Sequence, residues 1–383
     1  MTSASSAHFG EEHHQLRASA RDFVAREIAP HIEEWERSGE VPRSLHQKAG
    51  AAGFLGLGYP EEVGGSGGDL FHMMVLVEEI VLGGGSSGLC AALLTHGIAL
   101  PPIIAARNPE QLERFVRPTL AGQKIAALAV TEPDGGSDVA ALTTRAVREG
   151  DAYVVNGSKT YITSGARADF VTTLVRTGGE GASGLSLVVI EKGTAGFQVG
   201  RRLEKLGWWC SDTVELFFSD VRVPASHLIG AEGEGFRKTV RNFETERLFL
   251  AVQAYAMAER CLTLSLRWAR SRRAFGGTLA EKQVIRHRLA EMARRTDVAR
   301  EYVRAVAARV ASGEPAAAQV AMAKNTAADA CQFVVGEAVQ ILGGLGFMRE
   351  GEVERHYRDA RILSIGGGTT DIMNEIVAKS LGL

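Results

Sequence analysis

Apolar residues in the first third of the chain follow the spacing of helices. From Glu11 to about Leu120 they recur every three or four positions, which is the period of an amphipathic helix. Pro30 interrupts the first of these helices. The apolar residues on one side of that helix are Leu16, Phe23, Val24, Ile28 and Ile32. This pattern predicts an α-helical N-terminal lobe.

The pattern changes to shorter runs between about Gln123 and Ile229. Apolar and β-branched residues there form the runs "AYVVNGSKTYIT", "DFVTTLVRT", "GLSLVVIEK" and "TVELFFSDVRVP", with glycine, asparagine, aspartate and serine between them. Short runs bounded by turn residues are typical of strands. The middle of the chain is therefore predicted to be a β domain.

Long helical patterns return from Gly235 onward, in "RLFLAVQAYAMAERCLTLSLRWARSR", "EKQVIRHRLAEMARRTDVAREYVRAVAARV" and "AAQVAMAKNTAADACQFVVGEAVQILGG". Helices of this length joined by short loops form antiparallel bundles. The chain is thus predicted to have an α+β fold with domains at residues 1–122, 123–231 and 232–383. The order α, then β, then α excludes the regular strand–helix alternation of a doubly wound dinucleotide-binding fold.

The composition is that of an ordinary globular protein of enzyme size. The 383 residues are 45% hydrophobic and 23% charged, and the formal net charge is −2. This balance gives no bulk attraction to nucleic acid or to acidic membranes, so nucleic acid is not predicted as a partner. Cys90, Cys210, Cys261 and Cys331 are far apart and form no CxxC pair, which argues against a disulfide framework or a zinc site. Core thiols and no metal site are predicted.

Signals for membrane insertion or secretion are weak. The longest apolar stretch, from Leu89 to Ala106, contains His96, Pro101 and Pro102, which a span of about 20 apolar residues would not readily include. A buried helix and no membrane span are predicted. The N-terminal stretch "MTSASSAHFGEEHH" lacks the basic-then-apolar layout of a secretory signal, which favours a cytoplasmic location.

Two stretches of the β domain carry groups suited to a flat ligand. "LAVTEPDGGSDVAAL" places hydroxyls, carboxylates and two adjacent glycines between Thr131 and Asp138, in a loop after a short strand. Amides and hydroxyls suit the polar edge of a heterocycle, although an acidic turn has the same composition. In "NGSKTYITSG", Tyr161 and Thr163 fall on one face of a predicted strand. A cofactor ring could stack there, but core packing would explain the pair equally well.

Three further stretches lie in the C-terminal section. "SRRAFGGTLAEKQ", which contains Arg272, Phe275 and Gln283, suits pyrophosphate and adenine, but it also fits a solvated helix end. "QILGGLGFMREGEVERHYRD" is a glycine-rich break that could equally be a helix C-cap. "SIGGGTTDIMNEIVAK" places three glycines at the entrance to the last predicted helix, where free N–H groups can hold a ligand oxygen. No ionisable side chain precedes Asp371 there.

Taken in this order, the stretches resemble the acyl-CoA dehydrogenase family. "AVTEPDGGSDVAA" and "QILGGLGFMREGEVERHYRD" are similar to its two signature patterns, "RRAFG" and Gln283 to its flavin-binding helix start, and "GGGTTDIMNEIVAK" to its closing helix. The resemblance covers nearly the whole chain. It implies an N-terminal α-helical domain, a middle β-barrel-like domain and a C-terminal four-helix bundle. It also implies FAD at a subunit interface, a homotetramer, an acyl-CoA substrate and an electron-transfer flavoprotein as electron acceptor.

The same resemblance implies which residues bind the ligands. The FAD positions are Leu128, Ala129, Val130, Thr131, Ser137, Tyr161, Ile162, Thr163, Arg272, Phe275, Gln283, Gln340, Ile341, Leu342, Gly343, Gly344, Thr369 and Asp371. The pyrophosphate and adenine end would be held partly by a neighbouring subunit. The substrate positions are Ser137, Phe243, Arg247, Gly367 and Gly368. Asp371 stands where many members of the family have glutamine.

One expected group is missing from its usual place. Many family members remove the α-proton of the acyl-CoA with a glutamate in a Y-E-G-T stretch, and the corresponding residue here is Gly367. Long-chain and isovaleryl-type members use instead a glutamate before an R-L pair, which here is Glu246 before Arg247 and Leu248. The resemblance therefore implies Glu246 as the base. Gly367 would keep the backbone N–H that polarises the thioester carbonyl and would leave room for the acyl chain.

The predicted reaction follows from these roles. Glu246 takes the α-proton, the β-hydride passes to flavin N5, and the product is a trans-2-enoyl-CoA from fatty-acid or branched-chain catabolism. Three alternatives stay open. Glu246 could be a first-turn carboxylate that complements a helix dipole. The protein could be a flavin monooxygenase of the same fold, or a non-catalytic relative that binds FAD or acyl-CoA.

Overall fold

The computed structural model describes residues 8–383. The first seven residues, which carry part of the predicted N-terminal domain and part of the argument for a cytoplasmic location, lie outside the described residues. That location stays a prediction.

Helices fill the first part of the chain, as predicted. Asp69 caps α4 (Leu70–Leu82), because its side chain accepts hydrogen bonds from the N–H groups of Phe71 and His72. Pro30 falls between the first two helices, where the sequence predicts a break. The helices are α1 (Glu11–Glu27), α2 (Ile32–Ser38), α3 (Arg43–Ala51), α4 (Leu70–Leu82), α5 (Ser87–Leu93), α6 (His96–Ala99), α7 (Pro101–Ala106), α8 (Pro109–Gln111) and α9 (Arg117–Leu120).

A curled mixed sheet forms the middle of the chain. Its strands are β1 (Ala126–Ala129), β2 (Arg145–Glu149), β3 (Ala152–Thr163), β4 (Phe170–Arg176), β5 (Leu185–Glu191), β6 (Phe197–Arg202) and β7 (Thr213–Pro224). They are ordered β1-β4-β2-β3-β7-β6, and β5 pairs with β4. β4 runs parallel to β1 and β2, and the other pairings are antiparallel. The sheet agrees with the predicted barrel-like domain.

Long helices return after the sheet and pack as a bundle. They are α10 (Gly235–Ser271), α11 (Gln283–Ala311) and α12 (Ala317–Leu342), followed by α13 (Gly344–Phe347), α14 (Glu352–Ala360) and α15 (Thr370–Ser380). A small hairpin of β8 (Arg273–Ala274) and β9 (Gly277–Thr278) joins α10 to α11. An ion pair of 3.6 Å between Arg288 and Glu337 links the start of α11 to the end of α12, so these two helices are antiparallel. The predicted α+β class is confirmed.

The apolar core does not follow the three sections of the sequence. Residues of α1 and α4, such as Val24 and Met74, share one core with residues of the bundle, such as Met257 and Val334. A second core lies on the sheet, and a third lies between the sheet and helices α6 to α9. The N-terminal and C-terminal helices therefore depend on each other for burial.

One prediction about helices needs correction. The apolar stretch from Leu89 to Ala106 is not one buried helix, because it breaks into α5, α6 and α7. No single helix within residues 8–383 is long and apolar enough to span a membrane, although α5 and the α6–α7 segment, bent by 55°, pass that test together. The first long helix of the C-terminal section begins at Gly235, as predicted. All four cysteines are buried and free, as predicted.

Candidate active site

A glutamate on α10 lacks the partner that a buried carboxylate normally has. Glu246 lies about three turns into the helix, so the alternative role as a first-turn carboxylate is wrong, because the dipole effect falls off within the first turn. Its Oε2 atom is buried, and none of residues 8–383 donates a hydrogen bond to it. Burial raises the pKa of Glu246 to about 7, against the opposing charges of Arg247 and Lys324. A carboxylate of this kind is suited to accepting a proton near neutral pH.

The glycine-rich loop before α15 lies directly against this glutamate. A Cβ atom added at Gly367 would be 3.8 Å from Oε1 of Glu246 and 2.7 Å from Cδ1 of Leu250. Gly367 has φ of +65° and Gly368 has φ of +100°, so both adopt backbone that favours glycine. The two alternative positions for a base, 246 and 367, therefore border the same space.

Two cations fix the carbonyl groups of this loop. Arg247 donates from Nε to the carbonyl oxygen of Gly367 at 2.9 Å, and its guanidinium lies 5.8 Å from the centre of the Phe243 ring. Lys324, on α12, donates from Nζ to the carbonyl oxygen of Gly368 at 2.5 Å. Both side chains are buried. The loop is thus held from two helices.

The start of α15 directly follows this loop. Thr369 caps the helix, since its hydroxyl oxygen accepts the N–H of Ile372 at 3.2 Å. Asp371 is exposed in the first turn. The predicted contacts of Thr369 and Asp371 with FAD stay predictions.

The predicted FAD positions of the β domain come together at the ends of β1 and β3. The N–H of Thr160 donates to the carbonyl oxygen of Thr131 at 2.9 Å, which joins the loop after β1 to β3. Tyr161 is 68% exposed, and Ser137 is exposed in the loop. In the part of the chain that the structure describes, the hydroxyls of Thr131, Ser137 and Thr163 have no hydrogen-bond partner. Such a surface offers an aromatic face and several free polar groups.

β3 reaches this surface through a bulge. Its register against β7 shifts between Lys159 and Ile162, and Tyr161 has φ of +59°. The bulge directs the tyrosine ring outward while Ile162 stays in the core, so Tyr161 and Thr163 share the outer face, as predicted.

Five of the predicted FAD residues place their side chains in a core. Ala129 and Ile162 are buried in the core of the sheet, Val130 in the core between the sheet and the helices before it, and Ile341 and Leu342 in the core of the bundle. These five residues can offer only backbone groups to a ligand. The prediction did not separate side-chain contacts from backbone contacts.

The remaining predicted FAD positions lie at the far end of the bundle. Arg272 is exposed and lies 5.7 Å from the Trp268 ring, and Phe275 is 96% exposed at the tip of the β8–β9 hairpin. Gln283 begins α11, and Gln340 lies close to the end of the antiparallel α12. Gly343 and Gly344 have no atom within 4 Å of an added Cβ. This end therefore has an arginine, an aromatic ring and open backbone.

The two ends of α10 are far apart. At a rise of 1.5 Å per residue, Glu246 and Arg272 lie about 39 Å apart along the helix axis. This is longer than a flavin adenine dinucleotide. The structure thus brings Glu246 together with Gly367, but it does not bring these residues together with Arg272.

Lys324 is a residue that the sequence reasoning missed. A signal for it exists, because Val320, Ala323, Ala327 and Cys331 form an apolar stripe along α12 and Lys324 lies in that stripe. A lysine on the buried face of a helix needs a partner. Leu250, which limits the space at Gly367, carries no comparable signal.

Three family descriptions match the chain. The model described as "Acyl-CoA dehydrogenase, N-terminal domain" matches residues 10–123, the one described as "Acyl-CoA dehydrogenase, middle domain" matches residues 127–221, and the one described as "Acyl-CoA dehydrogenase, C-terminal domain" matches residues 233–382.

Individual relatives match over almost their whole length. The long-chain specific acyl-CoA dehydrogenase of Sus scrofa mitochondria is 38% identical over 380 residues, with 97% of this chain and 87% of the relative covered. An acyl-CoA dehydrogenase of Bacillus subtilis is 36% identical, with 98% and 99% covered. The crystal structure of a probable acyl-CoA dehydrogenase from Mycobacterium abscessus is 60% identical, with 97% and 99% covered and a TM-score of 0.97.

Proposed function

The chain belongs to the acyl-CoA dehydrogenase family, whose members are oxidoreductases and flavoproteins, and on that premise we propose that it converts an acyl-CoA thioester to a trans-2-enoyl-CoA with Glu246 as the base. One observation carries the proposal. The carboxylate of Glu246 lies 3.8 Å from where a side chain at position 367 would begin, in a family in which either position can supply the base.

The environment of Glu246 suits proton abstraction from carbon. The α-proton of a thioester is only weakly acidic, so the base must be desolvated and the carbonyl must be polarised as negative charge develops. The N–H groups of Gly367 and Gly368 donate to no protein acceptor in the described part of the chain. We assign the N–H of Gly367 to the thioester oxygen. Arg247 and Lys324 hold the loop that presents it.

The surface at the ends of β1 and β3 fits a flavin ring. Tyr161 exposes an aromatic face there, and Thr131, Ser137 and Thr163 have free hydroxyls. At the far end of the bundle, Arg272 fits a pyrophosphate, and Gly343 and Gly344 leave backbone open to a ligand. When bound, FAD would accept the β-hydride. The residues of these two surfaces would hold FAD, and Glu246 would hold the α-proton.

Because Glu246 and Arg272 lie about 39 Å apart along α10, the proposal requires a second copy of the chain. The pyrophosphate and adenine end would come from a neighbouring subunit, and we propose a homotetramer. An electron-transfer flavoprotein is the proposed electron acceptor. The division into residues 1–122, 123–231 and 232–383 is also retained as a proposal, supported by the change from helix to strand after α9 and back to helix at α10.

The substrate is proposed to be a fatty or branched acyl-CoA. The absence of a side chain at Gly367 leaves space beside the base, and Leu250 is the apolar residue that borders this space. The length of the acyl chain is the variable that the following experiment measures.

The test is anaerobic reduction of the purified, FAD-loaded protein by a panel of acyl-CoAs. Reduction is monitored as the loss of the absorbance of oxidised flavin. We expect bleaching by at least one saturated acyl-CoA. Glu246→Gln should retain flavin and acyl-CoA binding but reduce flavin about 10²–10⁴-fold more slowly, because the amide cannot accept the proton. Glu244→Gln, two positions earlier on the same helix, is the matched control and should reduce flavin normally.

Two outcomes would overturn the proposal. If no acyl-CoA bleaches the wild-type flavin, a monooxygenase or a non-catalytic binding protein explains the fold better. If Glu246→Gln is as fast as the wild type, the protein remains a dehydrogenase but Glu246 is not its base.

A further inference from the structure

A buried lysine, Lys324, contacts the loop beside the proposed base, and the proposed reaction gives its charge no role. Lys324 is 1% exposed, and it sits on the apolar face of α12. Burying an ammonium group is costly unless it is paired. Its Nζ donates a hydrogen bond to a backbone carbonyl, that of Gly368, at 2.5 Å. A backbone carbonyl carries no full charge, so the hydrogen bond alone does not compensate the buried cation.

The charged groups that act on Glu246 come from two helices. Arg247 follows it on α10, and Lys324 reaches the loop beside it from α12, where its Nζ donates to the carbonyl oxygen of Gly368. The loop of residues 365–369 contributes no charged side chain. Arg247 is committed through Nε to the carbonyl oxygen of Gly367 and also interacts with Glu244. Lys324 is therefore the charge that another part of the fold brings to the carboxylate.

Neighbouring residues of α12 show that this helix is built to hold the loop. Asn325 donates from Nδ2 to the carbonyl oxygen of Thr370 at 3.2 Å and to Oδ1 of Asn374 at 3.0 Å. Gln332 donates to the hydroxyl of Ser364. Together with Lys324, these side chains attach α12 to the loop and to the residues that flank it on both sides.

We propose that Lys324 is a positioning residue for Glu246, which both fixes the loop at Gly368 and keeps a positive charge beside the carboxylate. The inference rests on the proposed function. Burial lowers the pKa of Lys324 to about 8, so the lysine is still charged at neutral pH. There its charge favours the ionised form of Glu246, which burial disfavours, and this keeps the base available. Without it, a carboxyl group with no hydrogen-bond partner for Oε2 would hold its proton to higher pH.

Substitutions at Lys324 can separate its charge from its hydrogen bond. Lys324→Arg keeps the charge, Lys324→Gln keeps a donor without the charge, and Lys324→Met removes both. Lys205→Met is the matched control. Lys205 is a partly buried lysine that, like Lys324, donates to a backbone carbonyl, that of Ser211, but it lies in the sheet region.

The first measurement is the pH dependence of anaerobic flavin reduction. Removing an opposite charge near a carboxylate raises its pKa, so we expect the acidic limb for Lys324→Gln and Lys324→Met to move upward by about one pH unit or more. Lys324→Arg and Lys205→Met should keep the wild-type midpoint. A purely structural role would slow reduction equally at every pH and leave the midpoint unchanged, which would overturn the proposal.

The second measurement needs no substrate. Infrared difference spectra over pH should contain a band of a protonated carboxyl group that is lost in Glu246→Gln, and this band should disappear at higher pH in Lys324→Gln than in the wild type. If the band titrates identically in both proteins, the inference is wrong even where the dehydrogenase activity is real. If no acyl-CoA reduces the flavin but the band shifts, the electrostatic role stands and the proposed function fails.

Discussion

Glu246 illustrates at the scale of one residue how a proposed catalytic group opposes folding stability. Its pKa rises from 4.5 to about 7 because burial penalises the charged form. The group therefore contributes stability at pH values below 4.5, and this contribution is lost as the pH rises through about 7. At pH 8 the folded protein carries a buried charge that the unfolded chain exposes to water.

This sign gives a prediction about stability. Glu246→Gln should be more stable than the wild type at pH 8, by on the order of 1–3 kcal/mol, and close to it at pH 5. Denaturant unfolding of the two proteins at both pH values measures the difference, with Glu244→Gln as the control. An equal effect of Glu246→Gln at pH 5 and pH 8 would show that the carboxyl group does not titrate in this range.

A second prediction concerns moving the base. Glu246→Gly with Gly367→Glu should recover part of the flavin reduction that Glu246→Gln loses. Recovery should be partial because residue 367 has φ of +65°, and a left-handed non-glycine residue costs about 1–3 kcal/mol. Adding Leu250→Ala should increase the recovery, since an added Cβ lies 2.7 Å from Cδ1 of Leu250.

The measurement is stopped-flow flavin reduction with one short and one long acyl-CoA. The side chain at 367 fills space that glycine leaves open, so recovery should favour the short substrate. If Leu250→Ala gives no gain in the double variant, or gives an equal gain in the double variant and in the wild type, contact with residue 367 is not what limits recovery.

Sequence reasoning at the residue scale identified Glu246 and Gly367 through a family pattern, and the structure places them together. It did not identify Lys324, although the lysine lies in an apolar stripe. The contact of Lys324 with Gly368 joins α12 to a loop 44 positions later in the chain. Such contacts depend on how separate segments pack, and no local pattern records them.

At the scale of elements, an ion pair anchors the loop that is proposed to hold the flavin ring. Lys159 on β3 donates to the carbonyl oxygen of Val130 at 2.8 Å and to Oε1 of Glu132 at 2.9 Å. Glu132 in turn accepts the N–H groups of Thr143 and Thr144. Burial lowers the pKa of Lys159 to about 8, and the pKa of Glu132 falls to about 2 because Lys159 and these donors outweigh its burial. The pair fixes both ends of the loop to the sheet.

Removing one partner should therefore be costly. Lys159→Met leaves Glu132 buried without its cation, and we expect a loss of about 3–5 kcal/mol together with weaker flavin retention. Adding Glu132→Gln should restore part of the stability. Thermal unfolding and the flavin-to-protein ratio after gel filtration measure the two effects. A Lys159→Met protein as stable as the wild type would show that the ion pair does not anchor the loop.

Elements with a strong pattern were predicted well, and elements with a weak pattern were not. The run "TVELFFSDVRVP" alternates apolar and polar residues and coincides with β7. The first three turns of α10, "GFRKTVRNFETE", are mostly polar, so they carry a weaker apolar period than the stretch from Arg247 onward. In the apolar run from Leu89 to Ala106, Pro101 marks the start of α7, but the break between α5 and α6 has no such signal.

At the scale of the whole molecule, the length of α10 supports the proposal that FAD is shared between subunits. Glu246 and Arg272 lie about 39 Å apart along this helix, so one chain does not place Arg272 beside the proposed base. Subunit sharing can be tested by complementation.

Glu246→Gln and Arg272→Ala subunits carrying different affinity tags should form hybrids that are more active than either parent. In a hybrid, Glu246 of one subunit faces FAD that is held by Arg272 of the partner subunit. Tandem purification, flavin content and flavin reduction measure the gain, and light scattering reports whether the assembly is a tetramer. Activity equal to the average of the parents would show that each chain holds its FAD alone.

The core that α1 and α4 share with the bundle also constrains how the protein is made. During synthesis the N-terminal helices leave the ribosome long before their packing partners on α10 and α12, and the whole sheet is translated in between. Their apolar faces are buried only by contacts between residues far apart in the sequence. Such contacts form slowly, and until they form the apolar faces are exposed and prone to aggregation. The nascent chain is thus a natural client for chaperones until the bundle emerges.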